Sequence, residues 1–495
     1  GLDGVEIKCD QGFLIQQFLS PYYNFRTDEY GGTRINRIRF LLEILEKTRE
    51  EVGHDFIVGV RITGNAYAYG DIGEEEALEI SKIVATEDLI DYLHINGATN
   101  STYRGYLLNH GDSSLEERNF SHLSKKIKES VGIPVIVASM IATPYDAEYL
   151  VKHKYADLVA MTRSHIADPE IIRKVENGQL SDIRPCIRCN QECVGGHHLG
   201  APVRCIHNPA TGREKELGIG TIRKASKSKN LLIVGGGVSG MEVARVAALR
   251  GLKVHLLEKQ RELGGQLLLA SKLPYMQGLR DIAHYLENQI KKLKVNIYLQ
   301  NEVTIENFSS VIEDMNSVVI SIESNSHIPP IYQNIDPKNA LTPVDILKEN
   351  INLLKNILIV DVDWRQNPLA VAEWLIQRNH QVTIISSGYF IGEGINIASR
   401  ASYYSRIQRK AKFFPLTDFV SHKGNVACLR NVLDNEIFKI EPIDQVVFVS
   451  GLSPNRNLQN IKVEPSIDVH FVGDCMYPNG VTDAILQANR IARTL

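Results

Sequence analysis

Four cysteines, Cys186, Cys189, Cys193 and Cys205, stand near the middle of this 495-residue chain as C-x2-C-x3-C-x11-C, with α/β patterning on both sides. A packed core does not need thiols at that spacing. A metal centre does, and soft thiolates suit an iron–sulfur cluster or zinc. Four-cysteine zinc sites more often use two separated CxxC pairs, which this run does not contain. The chain is also too long for one core, so length alone predicts about three domains arranged around that centre. The remaining cysteines, Cys9, Cys428 and Cys475, lie far apart. No disulfide framework is readable, which fits a reducing, cytoplasmic compartment.

Composition excludes little but does so firmly. With 43% hydrophobic and 23% charged residues and a net charge of −3, nothing calls for nucleic acid or an anionic membrane as partner. No apolar run reaches the roughly 18 residues of a membrane helix.

Residues 1–178 alternate short apolar strands (Val5–Lys8, Ile57–Ile62, Tyr92–Ile95, Pro134–Val137, Asp157–Ala160) with amphipathic stretches such as Asn36–Val52, Glu74–Ala85 and Pro144–His153. Thr143-Pro144 is a helix-start signal. The alternation predicts a parallel sheet with right-handed crossovers. Five strands are readable where a closed (β/α)8 barrel has eight. The segment is therefore either a smaller open sheet or a barrel lacking its first three units. From Ser181 to about 218 periodicity fades, as expected where a cluster orders the backbone. RKASKSK at 223–229 reads as a solvated linker.

Gly235, Gly237 and Gly240 form G-x-G-x-x-G between a strand, Leu231–Val234, and a helix, Met241–Arg250. Gly235 makes the tight turn, Gly237 admits a pyrophosphate and Gly240 lets helix and strand pack closely. The helix N-terminus then faces the phosphates. Glu258 ends the next strand, placed to accept from ribose hydroxyls. These features predict an adenine-dinucleotide site. Further strands are expected near 253–257, 317–320, 357–361, 381–385, 445–449 and 470–472, in two interleaved α/β units. The second unit's strand-turn, ILIVDVDWRQNPLAVAEWL at 357–375, has no glycine. Asp361 and Asp363 there would repel a phosphate, and Pro368 is expected to start a helix. A degenerate nicotinamide-type unit, or a plain packing domain, fits.

Together these motifs resemble the iron–sulfur flavoproteins of the old yellow enzyme (NADH:flavin oxidoreductase) superfamily, which include 2,4-dienoyl-CoA reductase, trimethylamine dehydrogenase and the N-methylproline demethylases. The resemblance rests on GLDGVEI…FLSPYYNFRTDEYGG…NRIRFLLEIL (1–45), on IRPCIRCNQECV…RCIHNPATGRE (183–214), on EKQRELGGQL (258–267) and on VGDC (472–475). It implies FMN at the mouth of a TIM barrel, a 4Fe–4S cluster on the four cysteines and FAD or ADP in the following domain. It also implies a small-molecule substrate, an electron-transfer flavoprotein or a nicotinamide as redox partner, and possible homo-oligomers. Arg61 matches the arginine that reaches FMN, and Arg163 that of the last phosphate loop, preceded by Thr162 where a smaller residue is usual. In the loop before it the family's Gly-Arg is Ser139-Met140. Gly235, Gly236, Gly237, Glu258, Gln266, Val303 and Asp474 match dinucleotide positions.

The substrate strand departs most from that resemblance. A motif E-I-H-x-A-H/N-G-Y is replaced by Glu6-Ile7-Lys8-Cys9-Asp10-Gln11-Gly12-Phe13. The carbonyl-binding pair becomes Lys8 and Gln11, and the proton-donating tyrosine becomes Phe13. Tyr103 is only a distant substitute. Lys8 either holds a substrate carboxylate or reaches past the rim to solvent. His197 and His198 read as solvent-facing, Cys9 and Cys475 as buried, and Met140 and Met161 as packing residues.

The expectation is an α/β oxidoreductase with an N-terminally incomplete (β/α)8 barrel over 1–178, whose FMN site is incomplete within the chain. A cluster segment follows at 179–222. A Rossmann-like FAD- or ADP-binding domain covers 230–345 and 455–495, and a degenerate NAD(P)-binding-like domain 346–454. The favoured activity is oxidation and demethylation of an N-methylated amine or amino acid. The alternatives are NAD(P)H-dependent reduction of an unsaturated carbonyl compound and a non-catalytic electron relay.

Overall fold

The computed structural model describes residues 1–332, 334–348, 351–363, 367–459, 461 and 464–495. The chain divides into two compact units, 1–165 and 166–495.

The first unit is built on five parallel strands, β1 (Gly4–Cys9), β2 (Ile57–Thr63), β3 (Tyr92–Asn96), β4 (Val135–Ala138) and β5 (Leu158–Ala160), paired in simple sequence order. A doubly wound sheet reverses its order at a switch point; this one never does, as in the wall of a (β/α)8 barrel. Helices Arg34–Val52, Glu74–Thr86, Ser121–Lys128 and Pro144–Lys152 fill the crossovers. The first buries Ile38, Leu41 and Leu45, is capped by Thr33, whose hydroxyl accepts from Asn36 N–H, and stops at Gly53 in a positive-φ conformation. The last begins at Thr143-Pro144 as its sequence predicts, with Thr143 accepting from Asp146 N–H. Val58, Val60 and Ile62 of β2 are fully buried, each worth roughly 1.5–3 kcal/mol over an exposed position. The alternate residues, Gly59, Arg61 and Thr63, lie on the other face. There Lys8, Arg61, His94 and Ile136 fall in register across β1 to β4.

The second unit opens with a largely irregular segment around the cysteines, containing the short helix Val194–His198. Two five-stranded parallel sheets follow. The first uses β6 (Asn230–Val234), β7 (Lys253–Leu257), β8 (Asn296–Tyr298) and β9 (Ser317–Ile320), and after it comes the short β10 (Asn325–Ser326). The second uses β11 (Ala340–Leu341), β12 (Asn356–Asp361), β13 (Gln381–Ser386) and β14 (Ala411–Phe414). Three antiparallel strands, β15 (Thr417–Lys423), β16 (Val426–Asn431) and β17 (Ile437–Ile440), form a meander. Then come β18 (Gln445–Val449), β19 (Leu452–Ser453) and β20 (Asp468–Phe471). The orders are β20-β9-β6-β7-β8 and β11-β18-β12-β13-β14, with β10 and β19 paired antiparallel. The chain thus leaves the first sheet, completes the second and returns, the interleaving that the sequence predicts. Pro368 does sit in the first turn of a helix, Pro368–Gln377; residues 364–366 of the preceding turn lie outside the described residues. No helix among the described residues is long and apolar enough to cross a membrane.

Candidate functional site

Strand β1 delivers its polar residues to the end of the sheet where a barrel carries its chemistry. Asp10, just past β1, is fully buried. Its Oδ1 lies 2.9 Å from Lys8 Nζ and its Oδ2 2.9 Å from Arg61 Nε. Both contacts are ionic rather than aligned hydrogen bonds, whereas Asn96 Nδ2 donates to Oδ2 at 3.0 Å. Lys8 Nζ also donates to Gln11 Oε1 at 2.9 Å and sits 4.6 Å from the centre of the Phe13 ring. Gln11 Nε2 donates to Asn109 Oδ1, and Asn109 Nδ2 to Asn100 Oδ1. Lys8 therefore does not stand free: its side chain is partly exposed, and it heads a chain of ion pair and amides.

Below this layer Glu6 accepts from Tyr92 OH at 3.2 Å and pairs with His94 Nδ1 at 2.8 Å. Burial pushes the Glu6 carboxyl up, but His94, Arg61 and Tyr92 outweigh it and hold it below its usual range. Asp10, Asn96, Asn109 and the Glu6–His94 pair are the residues that sequence reasoning missed. Asp10 and Asn96 are 86 positions apart and Gln11 and Asn109 are 98 apart, so no local pattern signals them. Tyr103 is 75% exposed and joins none of these contacts.

Arg163, the second expected flavin contact, donates to Gly111 O at 2.8 Å and touches Met140 Sδ at 3.2 Å. Ser139 and Met140 both hold positive φ, 91° and 55°, a conformation that ordinarily favours glycine. Ser139 Oγ is shielded and has no hydrogen-bond partner. A buried hydroxyl without a partner, one residue from Met140 beside Arg163, suits a phosphate oxygen, so these residues fit an FMN phosphate even without the Gly-Arg pair.

In the second unit none of the four cysteines forms a disulfide. Burial pushes Cys189 well up, and its neighbours Cys193, Cys205 and Cys186 add to the shift. Burial likewise raises Cys205, which accepts from His207 N–H at 3.4 Å. Arg188 and Asn190, inside the cysteine run, take positive φ. Four mutually neighbouring thiols, two of them receiving backbone N–H groups, form a donor set that fits an iron–sulfur cluster. They are not drawn into a tight shell: among the described residues no group of three or more His, Cys, Asp or Glu side chains is close enough to hold a metal ion. His198 bonds back to Val194 O, and both His197 and His198 are exposed.

The glycine turn has the shape a pyrophosphate needs. Gly235 has φ 105°, which an L side chain resists. A Cβ on Gly240 would lie 1.9 Å from Gly235 O, whereas one on Gly237 would meet nothing within 4 Å. Glu258, buried at the end of β7, accepts from Gly236 N–H at 2.6 Å and Gln260 N–H at 2.7 Å. Gln266 Nε2 donates to Ser324 Oγ. Asp474 follows Gly473, with one buried oxygen lacking a partner and its carboxyl pushed up to about 6 by burial. That orphaned oxygen fits a ligand hydroxyl. Val303 packs beside the core of this sheet. In the second sheet buried Asp361 ends β12 and accepts from Gly392 N–H at 2.9 Å.

Residues 1–182 match the NADH:flavin oxidoreductase / NADH oxidase family, and 217–324 match a pyridine nucleotide-disulphide oxidoreductase domain. An N,N-dimethylglycine/sarcosine dehydrogenase of Chromohalobacter salexigens is 30% identical, over 100% of this chain and 76% of that protein. A cinnamate reductase of Clostridium sporogenes is 32% identical over 100% and 75%. Among solved structures, a 2-naphthoyl-CoA reductase complex superposes with a TM-score of 0.90 at 28% identity, over 100% of this chain and 73% of that one.

Proposed function

The chain belongs to the NADH:flavin oxidoreductase / NADH oxidase family and is a flavin-dependent oxidoreductase, and from that premise we propose that it oxidises and demethylates a small N-methylated amine or amino acid. The observation that carries this reading is that position 13, at the end of β1, offers a phenyl ring and no hydroxyl, and that the cation beside it, Lys8, is already tied to Asp10 and Gln11. Phe13 occupies the place of a hydroxyl and lies beside a lysine held by Asp10, while the Gln11, Asn96 and Asn109 amides of the same network bond to one another. Amides hydrogen-bond but do not exchange a proton at neutral pH. Reduction of an unsaturated carbonyl needs an acid for the nascent carbanion. Oxidation of an N-methyl group needs an unprotonated nitrogen and a place to put a hydride.

In the proposed reaction the N-methyl carbon gives up a hydride, water adds to the resulting iminium, and formaldehyde and the demethylated amine leave. FMN when bound would supply the two-electron acceptor, with the cluster and an external acceptor taking the electrons onward. Arg61, Arg163 and Ser139 would hold FMN; Cys186, Cys189, Cys193 and Cys205 the cluster; Gly235, Gly236, Gly237, Gly240, Glu258, Gln266, Val303 and Asp474 an FAD or ADP. Lys8 and Gln11 face the substrate. The glycine-free stretch at 357–375 favours an external acceptor such as an electron-transfer flavoprotein over a nicotinamide.

Anaerobic mixing tests this. Dimethylamine, N-methylglycine or N,N-dimethylglycine should bleach the flavin absorbance and release formaldehyde. Rapid bleaching by NADH or NADPH, with turnover of an unsaturated carbonyl and none of the amines, would overturn it.

A further inference from the structure

Asp10 occupies a place on the substrate strand where an unpaired charge is not tolerated. It is 0% exposed, and a buried carboxylate persists only beside compensating charge and hydrogen bonds. Here Lys8, Arg61 and Asn96, from β1, β2 and β3, supply them. The reciprocal effect concerns a ligand. Lys8 and Arg61 have side chains 42% and 26% exposed, so both are reachable, yet each already faces Asp10. Glu6, Tyr92 and His94 occupy the layer beneath and bring a second carboxylate to this face. The two cations are thus matched by two carboxylates, and the face is close to neutral. A ligand carboxylate approaching Lys8 comes within one side chain's length of Asp10, which is enclosed and cannot swing away. Like charges so juxtaposed oppose binding. An amine without a carboxylate meets no such opposition and finds Gln11 Oε1 and the Phe13 ring near Lys8.

We propose that Asp10 is a specificity-determining residue that, with Glu6, offsets the charge of Lys8 and Arg61 and turns the pocket away from carboxylate-bearing substrates, toward N-methylated amines that lack one. The substrate ranking rests on the amine reading above; the effect of Asp10 on anion binding does not.

The probe for that effect is ¹³C-labelled acetate, titrated into the full chain and followed by its NMR linewidth. Asp10→Asn keeps the shape and removes the charge. It should bind acetate about tenfold tighter than the unaltered protein, and adding Lys8→Met should abolish the gain. Equal affinity in the two proteins overturns the proposal. Should Asp10→Asn fail to fold, the unaltered protein decides alone: an acetate Kd tighter than about 1 mM overturns it, and weaker binding supports it. In turnover, N-methylglycine should show a KM about tenfold above that of dimethylamine, and Asp10→Asn should narrow that ratio. The reverse order sinks the proposal. Turnover of neither substrate, with the acetate effect intact, sinks the amine reading and leaves the role of Asp10 standing.

Discussion

At the scale of single residues, the glycine turn separates two uses of one amino acid. Gly240 is a packing glycine: an added Cβ would lie 1.9 Å from the Gly235 carbonyl oxygen, so the helix would have to move off the strand. Gly237 is a binding glycine. Its φ of −71° suits any residue, and a Cβ there would meet nothing within 4 Å. Gly240→Ala should therefore cost about 1–3 kcal/mol of stability through overpacking, visible as a lowered thermal transition. Gly237→Ala should melt with the unaltered protein yet lose affinity for FAD and ADP by about tenfold, because the methyl intrudes where the pyrophosphate lies. Equilibrium dialysis with both ligands checks the second outcome. Normal binding by Gly237→Ala would move the pyrophosphate away from this turn.

At the scale of elements, β6 and β12 end alike in topology and unlike in chemistry. β6 runs into glycines, whereas β12 ends at Asp361, 2% exposed, with one oxygen on Gly392 N–H and the other without a partner. Burial pushes the Asp361 carboxyl up to about 6, Asp363 and Glu393 add to that, and hydrogen bonds from Gly392 and Ser386 only partly offset it. A carboxyl whose folded-state value is raised favours folding in its protonated form. That contribution is fully present below the unfolded value near 4 and is lost as pH rises through about 6. Asp361→Asn should thus stabilise the protein by about 2 kcal/mol at pH 8 and by almost nothing at pH 4, as urea unfolding at the two pH values would show. The elements themselves were legible in the sequence because their signals are local: apolar strand runs, the Thr143-Pro144 start, Pro368 and G-x-G-x-x-G. The last strand starts at Asp468, two residues before the start that the sequence predicts, since that charged first residue hides the β-period. The meander of β15–β17 has no clear strand signal in the sequence, because its alternation is broken by a bulge at Phe419/Ser421. The polar network at Asp10 was equally unreadable. Its partners arrive on other strands, and Asp10 alone looks like one more surface acid.

At the scale of the whole molecule, the contact pattern assigns the cysteine segment to the second unit. Read from sequence, 179–222 is a connector with a boundary of its own. In three dimensions Arg184 N–H donates to Asp168, and Asn208 and Thr211 side chains donate to Ile166 O. Gln289 donates to Asp182 at 2.8 Å, and the Arg184 guanidinium lies over the Tyr285 ring. Ile206 is buried in one core with Leu231, Ile233 and Val254, and Cys189 packs against it. A segment fastened in this way to the first Rossmann-like sheet has its ligand geometry set by that sheet. Residues 166–495 expressed alone should therefore fold, bind iron and sulfide in the ratio of a 4Fe–4S cluster, and retain FAD or ADP. Cys193→Ser in the same fragment should lose the iron and keep the nucleotide, with proteolysis rising between 183 and 213, where little regular structure holds the backbone without a metal. Iron and sulfide assays, nucleotide release and limited digestion read these outcomes separately. A soluble fragment that binds nucleotide but never iron, while the full chain binds both, would show that the cluster depends on residues 1–165 and that the contacts to Tyr285 and Ile166 do not suffice to shape its site.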